Sequence, residues 1–138
     1  MKRLLQTGTN ENYLDLLSLV LRISIASFML THGLGKLNLL FSGSEIQFAD
    51  PIGLGATISL GLAVFAEVVC SILIGLGLAT RLASIPLIIT MLVAAFIVHA
   101  TDPFAKKEFA LLYLLIYLTV FIVGSRKYSL DHLLQKKK

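Results

Sequence analysis

Charge is scarce in this chain. Asp, Glu, Lys and Arg make up 14% of its 138 residues, while 57% are hydrophobic and mean hydropathy is +0.86. Soluble domains carry about 25% charged and about 45–50% apolar residues, so this composition excludes the ordinary soluble and disordered classes. Cysteine is nearly absent. Cys70 stands alone inside an apolar run, which rules out an intrachain disulfide and a C-x-x-C redox pair. No G-x-x-x-x-G-K-S/T loop occurs, and none of the Gly-Leu-Gly triplets at 33–35, 53–55 and 75–77 is followed by the third glycine of a dinucleotide fingerprint. No Ser/His/Asp set stands out, so any redox chemistry must borrow its cofactor. The formal net charge of +4 does not indicate nucleic acid, because the basic residues form short clusters beside apolar runs rather than one basic face.

What is present reads as a single membrane domain over residues 1–138. A helix needs about 20 mostly apolar residues to cross about 30 Å of hydrocarbon. Four stretches approach this, at 13–40, 55–79, 82–101 and 109–125. They are continuously apolar rather than alternating, which favours helices over barrel strands. The expected fold class is therefore all-α: four transmembrane helices in an up-down bundle, with a short amphipathic C-terminal tail. Asn12 with Asp15 reads as the N-cap and first-turn acid of the first span. The last span, 17 uncharged residues, must stand nearly upright or thin the bilayer. Residues 41–54 form the longest connection, and 102–108 read as a turn built on Asp102-Pro103. Gly61, Gly75 and Ala94 offer small surfaces for close helix contact.

The basic residues set an orientation. With a cytoplasmic N-terminus, Lys2, Arg3, Arg81, Arg126, Lys127, Lys136, Lys137 and Lys138 face the cytoplasm, and Lys36, Lys106 and Lys107 face the other side. Both termini are then expected in the cytoplasm. A polar stretch at 6–12 with no small-residue cleavage site after it makes the first apolar run a retained span rather than a signal peptide. Ser129 is placed to cap a short helix whose Leu130, Leu133 and Leu134 share a face, and the lysines beyond it favour anionic headgroups.

Ionisable residues inside spans cost at least about 2.5–3.5 kcal/mol each on insertion scales, so each asks for a partner or a purpose. Arg22 and Glu67 are the deepest, and counting about 1.5 Å per residue from the span midpoints sets them within roughly one turn of each other. They are expected to form a structural ion pair. His32 and Lys36 lie four apart near the far end of the first span. His99 closes the third span and Glu108 opens the fourth, so these residues with Glu67 are expected to line one ligand-binding layer. An apolar pocket roofed by His, Lys and carboxylate suits a small lipophilic molecule bearing carbonyl or hydroxyl groups, the profile of a quinone. A metal bound by His32, His99, Glu67 and Glu108 is the competing reading. It is disfavoured because no H-x-x-x-H or E-x-x-H spacing sits on one helix. Tyr113 and Tyr117, four apart in the fourth span, extend a pocket wall or simply pack.

As a set, Arg22, His32-Gly33-Leu34-Gly35-Lys36-Leu37, Glu67, Gly77-Leu78-Ala79-Thr80-Arg81, Glu108 and Tyr128-Ser129-Leu130-Asp131 resemble the DoxX family of small bacterial membrane proteins. The resemblance covers nearly the whole chain, and Cys70 lies outside it. It implies a four-helix protein of the bacterial cytoplasmic (inner) membrane. Some members of that family are linked to a thiosulfate:quinone oxidoreductase, others to quinone or catechol stress and to membrane-associated redox complexes. The function it implies is a quinone-interacting redox protein or the membrane subunit of an oxidoreductase complex, with quinone as cofactor. The partners expected are the lipid bilayer, a redox partner protein and further copies of the chain. Two other readings stay open: a non-catalytic membrane anchor or assembly scaffold, and a carrier or receptor for a small lipophilic or anionic solute.

Overall fold

The computed structural model describes residue 8 and residues 10–136. Lys2, Arg3, Lys137 and Lys138, counted above toward one face of the membrane, lie outside the described residues. Among the described residues all regular structure is helical. The helices are α1 (Glu11–Phe41), α2 (Ala56–Leu76), α3 (Thr80–Val98), α4 (Phe104–Val123) and the short α5 (Leu130–Gln135).

The helix ends follow local chemistry that hydropathy does not carry. Asn10, rather than Asn12, caps α1: its backbone is extended and its side chain accepts a bond from the Asn12 N–H at 3.0 Å. α2 stops at Leu76, short of the expected 79, because Gly77 turns left-handed at φ +70. The Leu78 N–H then reaches Leu73 O at 2.9 Å, and the Gly77 N–H reaches Ile74 O at 3.0 Å. α4 begins at Phe104, so Lys106, Lys107 and Glu108 are helical and the turn before it shortens to the Asp102-Pro103 region. Pro103 has no N–H to leave unpaired at a helix start. Ser129 caps α5, accepting from the His132 N–H at 3.2 Å.

α1 packs chiefly on α2 and α4, and α3 packs on the same two, so α2 and α4 stand diagonally across the bundle. The core between them is built from Ile25 and Met29 of α1, Cys70 and Ile74 of α2, Leu87 and Met91 of α3, and Tyr117 and Val120 of α4. The outside is apolar too: Leu17, Phe28, Leu82, Phe96, Leu115 and Ile122 are all exposed. Such a surface is stable against lipid and a liability in water. Three helices, α1 to α3, are long and apolar enough to cross a membrane. α4 falls outside that group because its charges at Lys106, Lys107 and Glu108 shorten its apolar run to residues 109–123.

Candidate functional site

The site lies at the end of the bundle where α1 finishes and α2 begins. Gly33 is the reason the two helices meet there. A Cβ at this position would lie 2.8 Å from Val68 Cγ2 and 3.0 Å from the backbone carbon of Glu67, so only glycine permits the approach. Lys36, three residues on and on the same face, then spans to α2, where its Nζ pairs with Oε1 of the buried Glu67. Glu67 sits in a π-helical turn over Phe65–Cys70, a deviation that in membrane and soluble helices alike gathers at functional positions. Its second oxygen, Oε2, has no partner.

His99 arrives at the same cavity from the π-helical end of α3, Ala94–Val98. Its Nδ1 bonds Asp102 Oδ2 at 2.7 Å, which leaves Nε2 as the ring's free hydrogen-bonding atom. That bond, with the charge of Lys106 at 3.6 Å, holds the Asp102 carboxyl below the usual carboxylate range. The cavity measures about 280 Å³ and is lined by Lys36, Glu67 and His99, with apolar walls from Leu62, Ile89 and Val93. Phe48 and Pro51 of the α1–α2 connection also line it, the Phe48 ring centred 5.8 Å from Lys36 Nζ. Asp50 fixes this connection, accepting from the Leu54 N–H at 3.0 Å, the Gly55 N–H at 2.8 Å and the Ser59 hydroxyl at 2.8 Å. The Ser59 hydroxyl first, and then the Gly55 N–H, hold the Asp50 carboxyl low.

Of the five residues expected in one layer, the structure brings Lys36, Glu67 and His99 together, and His32 and Glu108 stand apart. Four residues advance a helix by about 40° beyond a full turn. That offset points Lys36 to α2 and leaves His32 toward α4, exposed, with its ring edge-on to Tyr113 at 6.0 Å. Glu108 is exposed on α4. Among the described residues no three His, Cys, Asp or Glu side chains group as a metal would require.

The expected Arg22–Glu67 pair does not form. Glu67 lies level with Gly33, eleven residues along α1 from Arg22, which is roughly 16 Å of helix. Arg22, 1% exposed, instead donates from Nη1 to Ile74 O at 3.2 Å and from Nη2 to Tyr128 O. It belongs to a clasp at the opposite end of the bundle. There Asp131 accepts from the Ala79 N–H at 2.8 Å and the Thr80 N–H at 3.3 Å, while its own N–H reaches Gly77 O at 2.9 Å. The free N–H groups at the start of α3 are thus capped by a side chain 51 or 52 residues away. Arg126, at φ +55, bonds Asp15 at 2.7 Å and pairs with Glu11, tying the same segment to α1. Sequence reasoning missed the roles of Asp50 and Asp131. The Tyr128-Ser129-Leu130-Asp131 and Gly77-Leu78-Ala79-Thr80-Arg81 segments were visible as motifs, but nothing in either shows that they bond each other.

A helical bundle with an apolar exterior, three helices fit to cross a bilayer and an ion pair lining a cavity defines a small membrane protein. The chain belongs to the DoxX family, whose sequence profile matches residues 17–100. It is similar to the Bacillus subtilis (strain 168) protein named "Putative oxidoreductase CatD", 33% identical over 124 residues that cover 88% of this chain and 89% of the relative. No solved structure matches it.

Proposed function

We propose that this protein is a quinone-interacting redox protein of the bacterial cytoplasmic membrane, acting alone or as the membrane subunit of an oxidoreductase complex. The observation that carries this reading is the cavity of about 280 Å³ in which Lys36, Glu67 and His99, with the hydroxyls of Ser59 and Thr90, are the polar groups on otherwise apolar walls. Its size sits at the lower end of small-molecule sites and suits a single-ring headgroup. The polar pair fits the headgroup of a quinone and its reduced form: the Lys36 ammonium donates to one ring oxygen, and His99 Nε2, whose ring gives its Nδ1–H to Asp102, accepts from the hydroxyl of the quinol. A bound quinone would supply the two-electron, two-proton couple that this chain's residues lack. Glu67 holds the Lys36 ammonium at the cavity, Asp102 fixes the His99 ring, and Phe48 and Pro51 add apolar wall. A relative named as an oxidoreductase supports the redox class. Electrons would come from a partner protein.

In this reading α4 is the fourth span. Its residues 109–123 extend about 22 Å at 1.5 Å per residue, so the bilayer thins around it. Both termini face the cytoplasm, and the cavity opens near the outer surface. Titration of the purified protein with a short-tailed benzoquinone tests the proposal. Lys36→Ala and His99→Ala should each weaken saturable binding about 10-fold or more, the scale of a charge-assisted hydrogen bond, while His32→Ala leaves it unchanged. No saturable binding, or binding indifferent to Lys36 and His99, would instead support a membrane anchor or scaffold.

A further inference from the structure

Three polar atoms at the centre of the bundle are buried without a hydrogen-bond partner: Glu67 Oε2, Ser71 Oγ and the Tyr117 hydroxyl. Their residues are 2%, 0% and 0% exposed. Glu67 and Ser71 occupy successive turns of α2, and Tyr117 reaches toward them from α4, the helix diagonally opposite. The Tyr117 hydroxyl faces Ser71 and lies within the field of the Glu67 carboxylate. Buried polar groups are paired in the great majority of cases, with protein or with ordered water. With Tyr117 beside Ser71 and near Glu67, the three atoms point to one shared partner.

The chemistry of the three atoms specifies that partner. An ionised carboxylate only accepts, whereas each hydroxyl both donates and accepts. One water can donate to Glu67 Oε2 and to one hydroxyl while accepting from the other, and buried waters typically make about three such bonds. The π-helical turn that carries Glu67 widens α2 next to this point. The ring of Tyr113, stacked on Tyr117 at 6.3 Å, closes one flank.

We propose that Glu67 Oε2, Ser71 Oγ and the Tyr117 hydroxyl enclose an internal water site on the bundle axis. Through it, Tyr117 and Ser71 are positioning residues: they fix the inner oxygen of Glu67 so that the outer one faces Lys36. The site does not depend on what the neighbouring cavity binds.

Two measurements on the full chain in lipid nanodiscs test this. A density map that resolves ordered water should show one peak within hydrogen-bonding reach of all three atoms. A direct Tyr117–Glu67 bond with no such peak overturns the proposal. In infrared spectra, the carboxylate band lost in Glu67→Gln identifies that side chain. It should shift in Tyr117→Phe and in Ser71→Ala and stay in place in Leu118→Ala, which removes an exposed side chain from the same helix. A band unmoved by both hydroxyl deletions also overturns it.

Discussion

Lys36 and Glu67 are unequal partners. The lysine side chain keeps 31% of its exposure and the glutamate 3%. Removing the lysine strands a carboxylate in the core, which costs about 3–5 kcal/mol in comparable buried pairs. Removing the carboxylate leaves an ammonium that can swing toward the membrane surface on its flexible stem. Thermal melts followed by circular dichroism should therefore show a larger drop for Lys36→Ala than for Glu67→Gln, with Lys36→Met/Glu67→Leu recovering most of the loss. Insertion cost made Arg22, Lys36 and Glu67 legible in the sequence as residues in need of partners. Who pairs with whom depends on helix register, and register here is set by the absent Cβ of Gly33 and by a π-helical turn. Neither leaves a mark on hydropathy, so the depth count joined Glu67 to Arg22.

The glycines separate by what surrounds them. Gly33→Ala would press on Val68 and the α2 backbone and should cost about 1–3 kcal/mol, the usual range for overpacking. Gly61 faces open space, and Gly61→Ala should be neutral or stabilise by about 0.5–1 kcal/mol through helix propensity. Parallel melts of the two variants check the contrast.

At the scale of elements, the apolar runs located the long helices, three of which are long and apolar enough to cross a membrane. Their ends were misplaced by a few residues, since caps come from short polar side chains and left-handed glycines. Asp50 shows how such a cap becomes a condition on pH. Its folded carboxyl is held below the ordinary value of about 3.9. The stabilisation is therefore fully present above about pH 4 and is lost as pH falls through the lower folded value. Asp50→Asn should remove this part of the acid dependence of the melting temperature, and protease cutting within residues 42–55 should rise at neutral pH. An unchanged acid profile would show that the connection is held by packing alone.

For the molecule as a whole, the proposed orientation predicts that reporters fused after Phe41 read as external and those after Arg81 read as cytoplasmic. A second external reporter site is the 100–103 turn, just before α4 begins. A cytoplasmic reading there would mean that α4 does not cross. Long-range architecture was the least legible level. Composition announced a membrane bundle, but the clasp joins Arg22, Gly77–Thr80 and Asp131 across distances that no local pattern spans.

That clasp also imposes a schedule. Arg22 and the carbonyl of Tyr128 are 106 residues apart, which at about 5–20 residues per second is roughly 5–20 s of translation. The guanidinium enters the bilayer with α1, meets Ile74 midway and receives its last acceptor only after α4 has been made. Asp131, three residues further on, is also what closes the start of α3. The contacts that lock the bundle's clasp end thus wait for its last segment. Released chains truncated before residue 128 should keep their long helices while the α2–α3 turn stays open to proteases.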